Sequence, residues 1–181
     1  PSIMADFESD ANVIELDPVN IPNDDKADGD QIAIRTFSLR LREYDVHICS
    51  LGASVLRFYR PQDDGNLVDI VCGYKTVKDM HSSQNPYYFH ACVGRVANRI
   101  ARGTFTLQGK QFQVPPNNGS NALHGGPVGL SHRNWEVEVL QDGVQFTLLS
   151  RDDDQGFPGS VQVRATYRLL PTLSTTGVAL Q

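Results

Sequence analysis

The interpretation of the whole chain depends on the stretch Tyr87–Trp135, YYFHACVGRVANRIARGTFTLQGKQFQVPPNNGSNALHGGPVGLSHRNW. Several short polar segments that could hold a small molecule lie close together in it: an Asn98-Arg99 pair, an Asn117-Asn118-Gly119 turn and a His124-Gly125-Gly126 turn. Such turns need strands to support them, and the surrounding sequence predicts strands.

Two alternating runs inside this stretch predict a β-hairpin. Phe105 and Leu107 alternate with polar residues on one side of Gly109, and Phe112 and Val114 alternate with polar residues on the other side. Alternation with a period of two is typical of half-buried strands. Gly109 stands where a tight turn needs a residue that tolerates positive φ.

Further strands are predicted on both sides of the stretch. Apolar runs lie at 32–37, 46–59 and 67–72 before it, and at 135–139, 144–148 and 161–169 after it. The run at 67–72 is continuous, which is typical of a strand buried on both faces. Successive strands with Gly and Asn turns, and no convincing amphipathic helix, favour an all-β antiparallel β-sandwich. Residues 178–181 resemble the start of another strand, so we expect a truncated sandwich.

The chain is divided into two parts by composition. Residues 1–31 are rich in Asp, Asn and Pro and predict an acidic flexible arm, whereas residues 32–181 predict the sandwich domain. A net charge of −5 and 40% hydrophobic residues fit a soluble globular protein and argue against a nucleic-acid partner. No apolar run approaches the ~20 residues of a membrane helix, so no membrane partner is expected.

Three cysteines, Cys49, Cys72 and Cys92, lie among apolar residues without close spacing. This pattern favours small buried core residues in a reducing compartment over a disulfide framework or a zinc site. We therefore expect a cytoplasmic protein.

Arg99 and His124 are the candidate functional residues. Arg99 carries a planar fork of five N–H donors that can clamp paired oxygens, although an Arg beside an Asn is usually a surface residue or a salt-bridge partner. His124 precedes two glycines, which allow a close approach of backbone or ligand, and it could donate a hydrogen bond or move a proton. The alternative is an ordinary turn histidine.

The remaining polar groups are weaker candidates. His47 alternates with apolar neighbours and is expected to point to solvent, and His81 is expected in a polar loop. His90 and His132 flank the polar segments and could approach the same site, although structural roles are favoured. No histidine spacing supports a metal site. The acidic residues 152–154 lack the ligand pattern of an EF-hand, so a solvated connection is favoured over calcium binding.

The segment VGRVANRIARGTFTLQGKQFQVPPNNGSNALHGGPVGLSHRNW resembles the aldose 1-epimerase (galactose mutarotase) family. That family has Gly-Arg-x-x-Asn-Arg-Ile, then Asn-x-x-x-x-Leu-His-Gly-Gly, then a downstream Trp, in this order. Weaker similarity extends from about Ile32 to about Leu169. The resemblance covers roughly the N-terminal half of the family domain.

The resemblance implies a large two-layer β-sandwich isomerase, the galactose mutarotase-like supersandwich, that interconverts α and β anomers of hexoses such as galactose and glucose. It needs no cofactor and no metal. A base removes the proton of the C1 hydroxyl and an acid protonates the ring oxygen, on opposite sides of a firmly held sugar. By resemblance, Arg99 and the adjacent Asn98 bind the sugar hydroxyls. His124 binds the sugar and assists catalysis near the ring oxygen.

Two family parts have no counterpart in this chain. The principal acid His, in an Asn-His-x-Tyr-Phe motif, and the base Glu are expected beyond Gln181. The chain is therefore expected to carry the sugar-binding half of the site. Two alternatives remain open: a non-catalytic sugar-binding module and an inactive fragment of the same fold. A hexose-phosphate epimerase on this fold would need additional basic groups, and Arg95, Arg99 and Arg102 are close in sequence but do not establish a phosphate pocket. The preferred hexose and the oligomeric state are not determined.

Overall fold

The structure is a computed structural model that describes residues 11–23, 30–82, 86–172 and 178–181. Its two larger sheets are both antiparallel. The first contains, in spatial order, β1 Asn12–Pro22, β2 Gln31–Leu41, β3 Tyr44–Cys49, β4 Ser54–Pro61 and β5 Leu67–Asp69. The second contains β10 Glu136–Val139, β11 Gly143–Ser150, β12 Val161–Pro171 and β13 Val178–Leu180.

Shorter elements connect the two larger sheets. Four strands form two pairs: β6 Arg99–Ile100 with β9 Ala122–Leu123, and β7 Thr104–Leu107 with β8 Lys110–Gln113. Helix α1 covers Val77–Ser82, and 3-10 turns cover Ala101–Gly103, Leu130–His132 and Asp154–Gly156. None of the helices in the described ranges is long and apolar enough to span a membrane.

The main core lies between the two larger sheets. Phe37 of β2 and Phe146 of β11 meet edge to face with ring centroids 6.2 Å apart, and both side chains are fully buried. Trp135 packs in the same cluster, and its indole Nε1–H donates to the Leu130 carbonyl at 2.9 Å. The apolar faces of two antiparallel sheets are thus buried against each other, which confirms the predicted all-β sandwich.

The hairpins agree with the alternating patterns. β7 and β8 pair through a turn at Gln108 and Gly109, whose φ angles of 50° and 77° are the positive values that a two-residue turn between antiparallel strands requires. β10 and β11 pair across the predicted turn at 141–143. β12 extends over the predicted alternating run and pairs with β11, and β13 pairs with the end of β12.

The N-terminal region differs from the expectation of a loose arm. Residues 12–22 form β1, which pairs with β2 along its length, with one register shift between Leu16 and Val19. The Asp, Asn and Pro content suggested a loop, but Val13, Val19 and Ile21 pack with the apolar core, and Ile21 is buried. Residues 1–10 and 24–29 of the predicted arm lie outside the described residues.

The interpretation of 67–72 as a strand buried on both faces is wrong. Only Leu67–Asp69 form a strand, β5, which lies at the sheet edge, and Leu67 and Ile70 are more than half exposed. The carboxylate of Asp69 accepts the backbone N–H groups of Phe58 and Val71, so it replaces ladder hydrogen bonds at this edge. An Asp in the middle of an apolar run thus ends the strand.

The expectation of three buried cysteines holds for Cys49 alone. Cys49 is fully buried, and burial raises the pKa of its thiol to about 12, so it is an unreactive core residue. Cys92 is half-buried beside Tyr167, whereas Cys72 is exposed. All three are free thiols.

Candidate functional site

The Asn98-Arg99 pair and His124 are brought together by the short β6–β9 ladder. Arg99 pairs with Leu123 across this ladder, and the backbone N–H of His124 donates to the Asn98 carbonyl at 3.1 Å. Side chains separated by 26 positions in the chain therefore become neighbours. Asn98, Arg99 and His124 are here called the platform.

The imidazole of His124 has a defined hydrogen-bonding direction. Its Nδ1 accepts the backbone N–H of Asn98 at 3.0 Å, which leaves the proton of the neutral ring on Nε2. Burial lowers the pKa of His124 below its ordinary value, and the positive charge of Arg99 lowers it further. His124 is therefore a neutral donor through Nε2 at pH 7.

Amide side chains hold the guanidinium of Arg99. Its Nε–H donates to Oδ1 of Asn118 at 2.9 Å, and Nη1 lies 3.4 Å from Oδ1 of Asn98. No carboxylate in the described part of the chain pairs with it, although Arg35, Arg40, Arg57, Arg133 and Arg168 all have such partners. Arg99 is thus exposed, and its guanidinium is held by amide oxygens rather than by a carboxylate.

Asn117 joins the polar turns to the platform. Its Oδ1 accepts the Leu123 N–H at 2.7 Å, and its Nδ2 donates to the Leu123 carbonyl at 3.0 Å and to the Tyr88 hydroxyl at 3.2 Å. The neighbouring Asn118 forms a bridge with Asn121 and supports Arg99. The two asparagines therefore fix both halves of the β6–β9 ladder.

Three of the ten non-glycine residues with positive φ in the described ranges lie at this site. Tyr88, Asn98 and His124 have φ values of 54°, 66° and 51°, in the left-handed region that non-glycine residues rarely occupy. Non-glycine residues in this region cluster at functional sites, where the surrounding contacts maintain the strain. At Gly125, with φ 92°, an added Cβ would lie 1.6 Å from the Gly94 carbonyl oxygen, so the turn after His124 requires glycine.

A groove of ≈ 760 Å³ borders the platform. Its lining includes Tyr88, Asn117, Asn118 and Leu123, which support the platform, together with His132 and Asn134. Amide, imidazole and aromatic side chains line this groove beside several aliphatic ones, and Asn98, Arg99 and His124 are not part of its lining.

The other histidines lie in different surroundings. His132 faces the Tyr88 ring at 5.5 Å, so it approaches the platform from behind Tyr88. His90 is exposed and contacts the Cys72 carbonyl, and His81 lies in α1 rather than in the predicted loop. The expectation that His47 points to solvent is wrong, because it is largely buried against Tyr59 and lies 3.2 Å from Asp45.

The arginine cluster suggested by the sequence is not assembled as a phosphate site. Arg95 donates to the carbonyls of Ser150, Arg151, Pro158 and Gly159, and so holds two loops together. Of the acidic residues 152–154, Asp154 pairs with Arg133 at 2.5 Å and Asp152 accepts the Gly159 N–H. No group of three or more potential metal ligands occurs among the described residues.

Sequence reasoning missed Tyr88 and the supporting roles of Asn117 and Asn118. The two asparagines had a signal, because they begin a turn shortly before the Leu-His-Gly-Gly segment. Tyr88 had none, since its contacts with His124 and Asn117 arise only when the chain is folded.

The comparisons with known proteins identify the family of the chain. Residues 35–177 match the family model for aldose 1-epimerase. The chain is 40% identical to galactose mutarotase of Sus scrofa over 136 residues, which is 75% of this chain and 39% of that protein. It is 36% identical to aldose 1-epimerase of Escherichia coli over 125 residues, 68% of this chain and 36% of that protein.

Solved structures give the same result. An aldose epimerase homologue from C. elegans matches with a TM-score of 0.64 at 34% identity, over 70% of this chain and 38% of that one. Galactose 1-epimerase from Lactobacillus acidophilus matches in fold with a TM-score of 0.67 at 21% identity, over 90% of this chain and 45% of that one. The chain spans less than half of each relative and belongs to the aldose 1-epimerase family.

Proposed function

We propose that the platform is the sugar-binding half of an aldose 1-epimerase site, which holds a hexose while its α and β anomers interconvert. The observation that carries this proposal is the arrangement of Arg99 and His124. An exposed guanidinium held by Asn98 and Asn118 stands beside a neutral imidazole whose Nε2–H is available to a ligand. These donors suit the hydroxyls and ring oxygen of an uncharged sugar.

The platform contributes binding and polarisation in this proposal. The Arg99 fork donates to sugar hydroxyls and fixes the ring, which holds the reacting groups in place. His124 donates a hydrogen bond from Nε2 near the ring oxygen of the sugar. Negative charge develops on this ring oxygen as its bond to C1 breaks. With its pKa lowered, neutral His124 is suited to donate a hydrogen bond, while the family's principal acid would complete proton transfer.

The proton-transfer groups that the family resemblance implies, an acid His and a base Glu, have no matching positions in this chain. Arg99 and His124 form hydrogen bonds with amide groups, and within the described ranges no carboxylate pairs with either side chain. These residues therefore do not supply a base for the C1 hydroxyl. The proposal separates sugar binding, which this chain carries, from catalysis, which needs the remaining part of the domain.

Two measurements on the 181-residue chain test the proposal. Titration with galactose and with glucose, followed in ¹H–¹⁵N spectra, should shift the signals of His124 and the Arg99 side chain with saturation. Polarimetry of freshly dissolved α-galactose should show mutarotation at the uncatalysed rate. Unchanged spectra from a cooperatively folded chain would contradict the binding role, and catalysed mutarotation would show that the 181 residues supply the proton-transfer groups themselves.

A further inference from the structure

Tyr88 lies between two histidines next to the platform. Its ring centroid is 4.6 Å from that of His124 at an interplanar angle of 67°, and 5.5 Å from that of His132 at 82°. Both contacts are edge to face, an arrangement that pairs of aromatic rings favour. The ring thus covers one side of His124 and separates it from His132.

The hydroxyl of Tyr88 is anchored as well as its ring. It accepts a hydrogen bond from Asn117 Nδ2 at 3.2 Å, and the same amide binds both backbone groups of Leu123, the residue before His124. Tyr88 therefore contacts His124 directly through its ring and indirectly through Asn117. Its own backbone has a φ of 54°, an unusual conformation for an aromatic residue.

These contacts restrict the orientation of the His124 imidazole. The Asn98 N–H holds Nδ1 in place but permits the imidazole to tilt about that hydrogen bond. The Tyr88 ring, with its centroid 4.6 Å away, packs against the imidazole and opposes a tilt toward that side. We propose that Tyr88 is a positioning residue, which holds the His124 imidazole against the Asn98 N–H, the hydrogen bond that selects the Nε2–H form, and so directs Nε2 at the bound sugar.

The role of Tyr88 in sugar binding rests on the proposed function, but its effect on His124 is measurable without a sugar. In the ¹⁵N-labelled chain, the imidazole signals report the tautomer and the titration midpoint of each histidine. The His124 signals are assigned by their loss in His124→Gln. The wild-type chain should show unprotonated Nδ1, protonated Nε2, and through-space contacts between the Tyr88 and His124 rings.

Two substitutions separate the ring from the hydroxyl. Tyr88→Leu removes the aromatic ring and admits water to His124. We expect a mixture of tautomers, a titration midpoint that moves upwards because burial is the main cause of the lowered pKa, and about two- to tenfold weaker galactose binding. Tyr88→Phe keeps the ring and should retain the tautomer and the midpoint.

Tyr59→Leu is the matched control. Tyr59 makes a similar edge-to-face contact with His47, with centroids 5.5 Å apart, on the five-stranded sheet. Its loss should change the His47 signals and leave those of His124 unchanged. Arg99 and His132 are the other titratable groups near this side of His124, so their signals are followed in parallel.

The outcomes distinguish the two proposals. An unchanged His124 tautomer, midpoint and galactose affinity in Tyr88→Leu would overturn the role of Tyr88. If Tyr88→Leu does not fold, missing through-space contacts between the two rings in the wild-type chain would overturn it equally. A wild-type chain that binds no galactose refutes the proposed function, while the His124 titration still decides whether Tyr88 positions the imidazole.

Discussion

The backbone N–H of Asn98 and the Nδ1 atom of His124 are 3.0 Å apart, and this hydrogen bond determines which nitrogen of His124 faces outward as a donor. Asn98 belongs to the Gly-Arg-x-x-Asn-Arg-Ile segment and His124 to the Leu-His-Gly-Gly segment. The two segments that identify the family therefore form one structural unit. Five predictions test this unit and the fold beneath it.

Replacement of His124 by Gln should weaken galactose binding about tenfold, because a buried hydrogen bond contributes about 0.5–1.5 kcal/mol and the rigid Nε2–H donor is lost. Isothermal titration calorimetry measures the change. His47→Gln is the control, since His47 lies on the five-stranded sheet against Tyr59 and should be neutral for binding. Equal affinity of His124→Gln and the wild-type chain would remove His124 from the site.

Galactose binding should weaken as the pH falls through the titration of His124. Protonation adds a second N–H to the imidazole, at Nδ1, so this atom opposes the Asn98 N–H instead of accepting from it. The folded pKa lies below the ordinary value of 6.5, so the unfolded state binds protons more readily. The contribution of His124 to stability is therefore complete above pH 6.5 and decreases as the pH falls through the folded pKa. Urea denaturation and calorimetry across this range, with His124→Gln as the flat reference, measure both effects.

Replacement of Arg99 by Lys should reduce galactose affinity about tenfold, because an ammonium group cannot reproduce the planar fork, and hydrogen bonds to charged groups contribute about 1.5–3 kcal/mol. The Nε–H bond to Asn118 is lost as well. Arg102→Lys is the matched control, because Arg102 is exposed and bonds to Asn121 through its backbone N–H. A similar loss in both variants would indicate a general charge effect rather than a clamp.

Gly125→Ala should destabilise the chain by more than about 3 kcal/mol, because the added Cβ meets the Gly94 carbonyl and φ is positive. Gly109→Ala also has a positive φ, but nothing lies within 4 Å of its added Cβ, so about 1 kcal/mol is expected. Chemical denaturation compares the two variants. Equal stabilities would show that Gly94 does not approach Gly125 closely in solution.

Phe146→Ala should lower the free energy of unfolding by about 3–5 kcal/mol, because it leaves a cavity between the two larger sheets opposite Phe37. Leu149→Ala, on the same strand but 45% exposed, should cost less than about 1 kcal/mol. Thermal and urea denaturation measure both. A small effect of Phe146→Ala would contradict the packing of β11 against β2.

Local patterns predicted the hairpins well, because alternation and turn glycines act over a few residues. β7–β8 and β10–β11 both follow the alternating runs. Composition misled at β1, where Asp and Asn residues occupy a strand that is stabilised by its pairing with β2. It misled again at Asp69, where one carboxylate ends an apolar run by binding backbone N–H groups.

The sequence by itself determined the family, the alternating strands, and the presence of Asn98, Arg99 and His124, because these depend on residue identity and short spacing. Only the tertiary structure decided that Asn118 orients Arg99, that Asn98 sets the His124 tautomer, and that Tyr88 covers the imidazole. The reason is that each of these contacts joins residues far apart in the chain. Their distances are set by strand pairing and sheet packing, which no local pattern encodes.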